Sequence, residues 1–184
     1  YFGGVGGISG QDARVDPYQP VGDLWIELDA GEAKEYTRSL DLDSGLAETR
    51  FISASGEVKE RLFVSCTDSC AVADVTRETA GEITVSLTRV EDPRCAIEYR
   101  QDAQGLSMKG SFRDGICFEA RVTLHTDGQF EIQAPYVKVK NATHLLLKIQ
   151  VGTDAKGVAP ESEMTFPDEN CFDTLFERHA KRFI

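Results

Sequence analysis

Ile116-Cys117-Phe118-Glu119-Ala120-Arg121-Val122-Thr123-Leu124 alternates apolar and polar side chains without a break. Ile116, Phe118, Ala120, Val122 and Leu124 share one face, and Cys117, Glu119, Arg121 and Thr123 share the other. Successive side chains of a strand point to opposite sides, so a period of two marks a strand with one apolar face. The same period recurs on both sides of this stretch. Phe130 and Ile132 alternate with Glu131 and Gln133; Val137 and Val139 alternate with Lys138 and Lys140; Leu145, Leu147, Ile149 and Val151 form the next apolar face. Upstream, Ile83, Val85 and Leu87 alternate with Thr84, Ser86 and Thr88, and Leu24, Ile26 and Leu28 with Trp25 and Glu27. Asp114-Gly115 and Asp127-Gly128 supply the positive φ that tight turns require, and Ser55-Gly56, Ala80-Gly81 and Gln104-Gly105 read as further turns. About ten to twelve short strands with short connections predict an all-β, antiparallel sandwich rather than a parallel βαβ fold.

One segment breaks the pattern. After Pro167-Asp168-Glu169-Asn170, the residues Phe172, Leu175, Phe176, His179 and Phe183 recur at helical spacing, with Asp168 or Asn170 as the expected N-cap. The reading is a β-sandwich domain over residues 1–166 and the start of a helical linker over 167–184. The apolar stripe of that helix is expected to lie in part without a partner inside this chain. Residue 1 is Tyr, the first ten residues hold five glycines, and the last helix runs into Ile184, so the chain reads as a piece of a longer one.

The 184 residues include 20 Lys and Arg against 31 Asp and Glu, a net charge of −11. That balance argues against nucleic acid and anionic membranes as partners, both of which need a basic face. The nearest thing to one, Lys138, Lys140 and Lys148, is sparse. No apolar run approaches the length of a membrane span.

Candidates for chemistry are few. Gly4-Val5-Gly6-Gly7 follows no strand and lacks the Lys-Ser/Thr of a phosphate loop. His125, His144 and His179 have no partner at i+2 or i+4 and read as surface histidines. Cys66, Cys70, Cys95, Cys117 and Cys171 lack the second pair a zinc site wants, so they read as small apolar residues, with a Cys66–Cys70 disulfide left open. Asp41 and Asp43 share a strand face and have the look of an acid/base pair, but alternate with Leu40 and Leu42, expected to point inward while the aspartates face out. Asn141-Ala142-Thr143 is a glycosylation sequon in an expected loop; whether Asn141 is modified depends on the compartment. The residues therefore give no catalytic, cofactor-binding or metal-binding side chain, and no cofactor is expected.

Three stretches resemble one family. They are Tyr18-Gln19-Pro20-Val21-Gly22-Asp23-Leu24-Trp25-Ile26; Tyr36-Thr37-Arg38-Ser39-Leu40-Asp41-Leu42-Asp43 with the later Lys59-Glu60-Arg61-Leu62-Phe63-Val64-Ser65; and Leu106-Ser107-Met108-Lys109-Gly110 with Gly115 to Arg121. Their order is similar to that in the N-terminal domain of glycoside hydrolase family 95, the α-L-fucosidases, and Leu175-Phe176-Glu177-Arg178-His179 resembles that family's linker helix. The resemblance implies a β-supersandwich followed by a helical linker and a catalytic (α/α)6 barrel. It also implies an inverting exo-glycosidase acting on fucosylated glycans, whose acid and water-activating groups all sit in the barrel. On this reading the chain is non-catalytic, its partners are the barrel of the same polypeptide and an oligosaccharide at the domain rim, and the parent is a secreted, extracellular or periplasmic hydrolase. Val21 departs from the Leu or Ile usual in the first motif. Two other classes compete: a stand-alone carbohydrate-binding sandwich, with Trp25, Tyr99 or Tyr136 stacking on sugars, and an interaction module with no sugar chemistry.

Overall fold

The computed structural model describes residues 20–113 and 115–183. The glycine-rich start, Gly4 to Gly7, Tyr18, Asp114 of the Asp-Gly turn, and Ile184 lie outside them. Among the described residues ten strands precede the helix: β1 (Asp23–Leu28), β2 (Lys34–Asp41), β3 (Leu46–Ser53), β4 (Gly56–Ser65), β5 (Cys70–Thr88), β6 (Cys95–Asp102), β7 (Gly105–Phe112), β8 (Cys117–Thr126), β9 (Gln129–Gln133) and β10 (Tyr136–Thr153). A 3-10 turn at Pro160–Glu163 leads to α1 (Phe172–Phe183). Every strand pairing is antiparallel.

Two layers share two strands. The wide layer runs β2-β3-β4-β5-β10-β8-β7-β6; the small layer sets β1 against the far half of β5 and β9 against the first half of β10. β5 spans 19 residues and β10 spans 18, each long enough to serve both layers. Both bend at the same level, where Gly81 faces Ala142 and the register of β10 shifts on either side of Ala142. At the bend Arg77 is buried; its Nη1 donates to Asp29 Oδ1 at 2.7 Å and to the Glu82 carbonyl at 3.2 Å. The guanidinium fills the space a side chain at position 81 would need. Opposite, Asn141 adopts a φ of 55° and the Asp127 carboxylate accepts the backbone N–H groups of Thr143 and His144.

These bends correct two expectations. Ala80-Gly81 is no turn between strands but the kink inside β5, and Asn141-Ala142-Thr143 is no loop but the bulge inside β10. Each strand supplies two alternating runs, one per layer, and a bulge re-aims the chain without ending its pairing.

The main core lies between the layers. Ile83, Val85, Val137 and Val139 from the small layer meet Val75, Leu145, Leu147, Met108, Phe118 and Val122 from the wide one. Each such side chain contributes roughly 1.5–3 kcal/mol on burial. The small layer does not reach over β2–β4. Leu40, Leu62 and Val64 point to that side and remain 60%, 43% and 67% exposed, and Leu42 is 77% exposed. Leu40 and Leu42 therefore do not point inward: β2 is an edge strand, and among the described residues no second layer lies above it.

A second core occupies the opposite face of the wide layer. Phe63 of β4, Cys70 and Val72 of β5 and Leu146 of β10 are covered by Phe172 and Leu175 of α1. The N-cap lies one residue beyond Asn170 and three beyond Asp168, the two expected caps. Cys171 takes the N-cap place: its carbonyl accepts the Leu175 N–H at 3.1 Å. Asn170 instead accepts a bond from Lys148 Nζ at 2.9 Å.

Candidate functional site

The most elaborate constellation of polar groups lies where α1 meets the wide layer. Asp74 interrupts the apolar phase of β5 and is 1% exposed. Arg61 of β4 donates to Asp74 Oδ2 from Nε at 3.1 Å and Nη2 at 2.8 Å, and from Nη1 to Asp173 Oδ1 of the first helical turn at 2.7 Å. His144 Nε2 lies 2.7 Å from Asp74 Oδ1. The Arg61 guanidinium also lies over the Phe172 ring, 3.9 Å from its centre. Burial pushes the Asp74 carboxyl up, but the bonds from His144 and Arg61 outweigh it and hold the group below 3.8, the ordinary carboxylate value. The bond to Asp74 raises His144 above 6.5 against the effect of its partial burial.

Beside this network Phe63 carries three helical side chains. Phe172 and Phe176 meet it edge-on at 5.2 and 5.4 Å, and the His179 ring stacks on it at 5.0 Å. His179 Nε2 lies 2.9 Å from the Ser44 carbonyl in the β2–β3 turn, and Phe183 closes the row 4.9 Å beyond. Lys148, 6% exposed, directs its ammonium to the carbonyls of Pro167 and Glu169. This is a structural clamp: Arg61, Asp74, His144 and Asp173 pair with one another, and Lys148 ties the segment before the helix to the sheet.

The side chains singled out in the sequence separate. Asp41 Oδ1 accepts the Asp43 N–H at 3.0 Å and Oδ2 the Ser44 hydroxyl at 2.6 Å, so its carboxylate closes a turn and is held below the ordinary value by those bonds. His125 is exposed, His144 is half-buried and His179 is buried, the last two belonging to the clamp. Lys148 leaves the supposed basic stripe for the same reason. All five cysteines are free thiols: Cys70 and Cys95 are buried, Cys117 is half-buried with Sγ 3.5 Å from Ser111 Oγ, and Cys66 and Cys171 are exposed. Among the described residues no group of three His, Cys, Asp or Glu side chains is placed to hold a metal ion. No helix among them is long and apolar enough to cross a membrane. Reading the sequence missed Asp74, Arg61 and Phe63. The available signal was a charged residue inside an apolar run, which a buried strand tolerates only when it is paired.

Two outward features remain. A recess on the outer face of β6–β8 is lined by Arg100, Asp102, Ser107, Glu119, Arg121 and Glu161, where Arg121 pairs with Asp102 and Arg100 with Glu98. On the small layer Trp25 and Tyr136 are 56% and 47% exposed, while Tyr99 is half-buried at the edge of the core.

Comparison with known proteins gives a consistent set. A family model described as the glycosyl hydrolase family 65 N-terminal domain matches residues 6–158. Alpha-L-fucosidase 2 of Arabidopsis thaliana is 27% identical over 110 residues, which are 58% of this chain and 13% of that protein. Among solved structures, a chain described as a kojibiose phosphorylase from the human microbiome superposes with a TM-score of 0.62 at 10% identity. The match covers 87% of this chain and 27% of that one. The chain thus spans a minor part of each of these two larger relatives, and the structural likeness concerns the fold.

Proposed function

Because the chain belongs to the family of glycosyl hydrolase family 65 N-terminal domains, we propose that it is the non-catalytic N-terminal sandwich of an α-L-fucosidase-like exo-glycosidase. The observation that carries the fucosidase part of this reading is the 110-residue match to alpha-L-fucosidase 2. Residues 1–166 form the sandwich unit, and 167–184 begin a helical linker to an (α/α)6 barrel of the same polypeptide. The clamp gives that linker a fixed starting direction, because α1 is bonded to the sheet at Arg61, Phe63 and Ser44. Phe183, 45% exposed at the end of the helix, is apolar surface for the next domain. The acid and the water-activating groups belong to the barrel. No carboxylate of this chain is assigned to catalysis, and Asp41, held ionised in its turn, is poorly suited to donate a proton.

The test is enzymatic. The chain alone is expected to leave 4-nitrophenyl α-L-fucoside and 2′-fucosyllactose at the blank rate. Joined to its barrel it is expected to release fucose with inversion. Turnover by the isolated chain that disappears in Asp41→Asn sinks the non-catalytic assignment. Phosphorolysis of a glucosyl disaccharide by the joined protein, with fucosides untouched, sinks the fucosidase assignment.

A further inference from the structure

The outer face of the small layer carries a row of side chains that no further layer covers among the described residues. Trp25 of β1 is the register partner of Ser86 on β5, and Tyr136 of β10 is the partner of the same Ser86 from the other side. The three therefore lie in one line across the strands, with Gln133 of β9 next to Tyr136. Adjacent strands are about 4.8 Å apart, so the two aromatic residues stand roughly 10 Å apart on either side of a small, buried serine. Their neighbours on the same strands, Ile26, Val85 and Val137, already face the core. Packing thus gives no reason for aromatic residues at positions 25 and 136.

We propose that this row is a carbohydrate-binding platform, on which Trp25 and Tyr136 stack against alternate rings of a neutral, extended oligosaccharide. Three observations converge on that ligand. The first is shape: two exposed rings about two strand spacings apart, with Ser86 as a low floor between them, suit alternate pyranose rings with the intervening ring left unstacked. The second is preorganisation. Trp25 Nε1 donates to Thr88 Oγ1 at 3.0 Å, which pins the indole against β5 and leaves ring surface to solvent. The apolar C–H face of a sugar packs on such a ring, while its hydroxyls need donors and acceptors at the rim. The third is charge. The next row places Glu27, Thr84 and Lys138 side by side, so opposite charges flank a hydroxyl, in a chain whose net charge is −11. A neutral polyol is matched by that surface; a polyanion is repelled.

This platform lies apart from the clamp and does not depend on the accessory-domain reading, which loses nothing if the row is inert. The chain has one tryptophan, Trp25, so its emission reports on the site directly. Titration of the chain with cellohexaose is expected to give a saturable blue shift and quench, and oligogalacturonate of the same length none. Tyr136→Ala is expected to weaken cellohexaose binding roughly tenfold, the scale of one aromatic stacking contact, with an unchanged far-UV spectrum. Trp25→Phe, followed by calorimetry, is expected to weaken binding less than Trp25→Ala. Absence of a saturable response to cellohexaose, or an equal response in Tyr136→Ala, overturns the proposal. So does an emission shift that follows protein concentration without sugar, since the row would then be a contact between two copies of the chain.

Discussion

Asp74 shows how much a single carboxylate can organise. It is buried, and it joins two strands of the sheet, while Arg61 extends the connection to α1. Removing one member of a buried ion pair leaves the other uncompensated, at a cost of about 3–5 kcal/mol. Asp74→Ala is therefore expected to lower the unfolding free energy obtained from urea titration by that amount. The same pair sets a pH window. The Asp74 carboxyl is lowered on folding, so its contribution is present above 3.8 and fades as pH falls through the lowered value. His144 is raised, so its contribution is complete below 6.5 and is lost as pH climbs through the raised value. Thermal melts are expected to be highest between these limits, and His144→Gln to remove the decline on the alkaline side. A second expectation concerns the thiols. Burial, then the nearby Asp68, push Cys70 up to about 11, whereas the bonds from Thr174 lower Cys171 at the exposed start of α1. Iodoacetamide should label Cys171 well before Cys70, read by peptide mass spectrometry; the reverse order would contradict the position of Cys171 as N-cap.

The helix and the sheet depend on each other through Phe63. Its ring touches Phe172, Phe176 and His179, so α1 is seated on the domain's own surface along most of its apolar stripe, where partial exposure was expected from the sequence. Phe63→Ala is expected to cost about 3–5 kcal/mol. It should also raise hydrogen exchange in α1 far more than in β8 and β10; uniform exchange would mean that the helix and the sandwich unfold together. At the far end of α1 the β2–β3 turn meets Phe183. Gly45 has a φ of 65°, and a Cβ there would come 3.0 Å from the Phe183 ring. Gly45→Ala therefore strains the backbone and displaces the helix end, and the exchange rates of Arg182 and Phe183 should rise first. The stripe itself was legible because helical periodicity is local. Its partner was not: Phe63 and Leu146 face the helix from strands whose opposite side also carries apolar residues, and a two-faced strand reads the same whichever face is covered.

Consecutive strands pair along most of the sheet, but the pairings that join its parts are distant in sequence, with β10 lying between β5 and β8, and β1 against β5. Closing such loops before contacts form slows folding, so refolding by stopped-flow is expected in the millisecond-to-second range, with a far-UV spectrum dominated by β-structure. The alternating runs 116–124, 83–88 and 145–151 revealed the sheets, since each needs only its own residues. The continuity of β5 and β10 was hidden, because Gly81 and Asn141 carry the local chemistry of turns, and only the pairing of Gly81 with Ala142 makes these sites bends. Trp25 and Tyr136 could each be noticed as candidate sugar-stacking residues; that Ser86 lies between them is a matter of register, which no single strand encodes. The shared strands also have a consequence for descent. Because each runs unbroken from one layer into the other, a chimaera that takes the small layer from one gene and the wide layer from another has its junctions inside both strands, at Gly81 and Ala142. Such a chimaera is expected to fold only when the two junctions come from matched parents. Divergence at either must proceed by substitutions that leave the two bends in step.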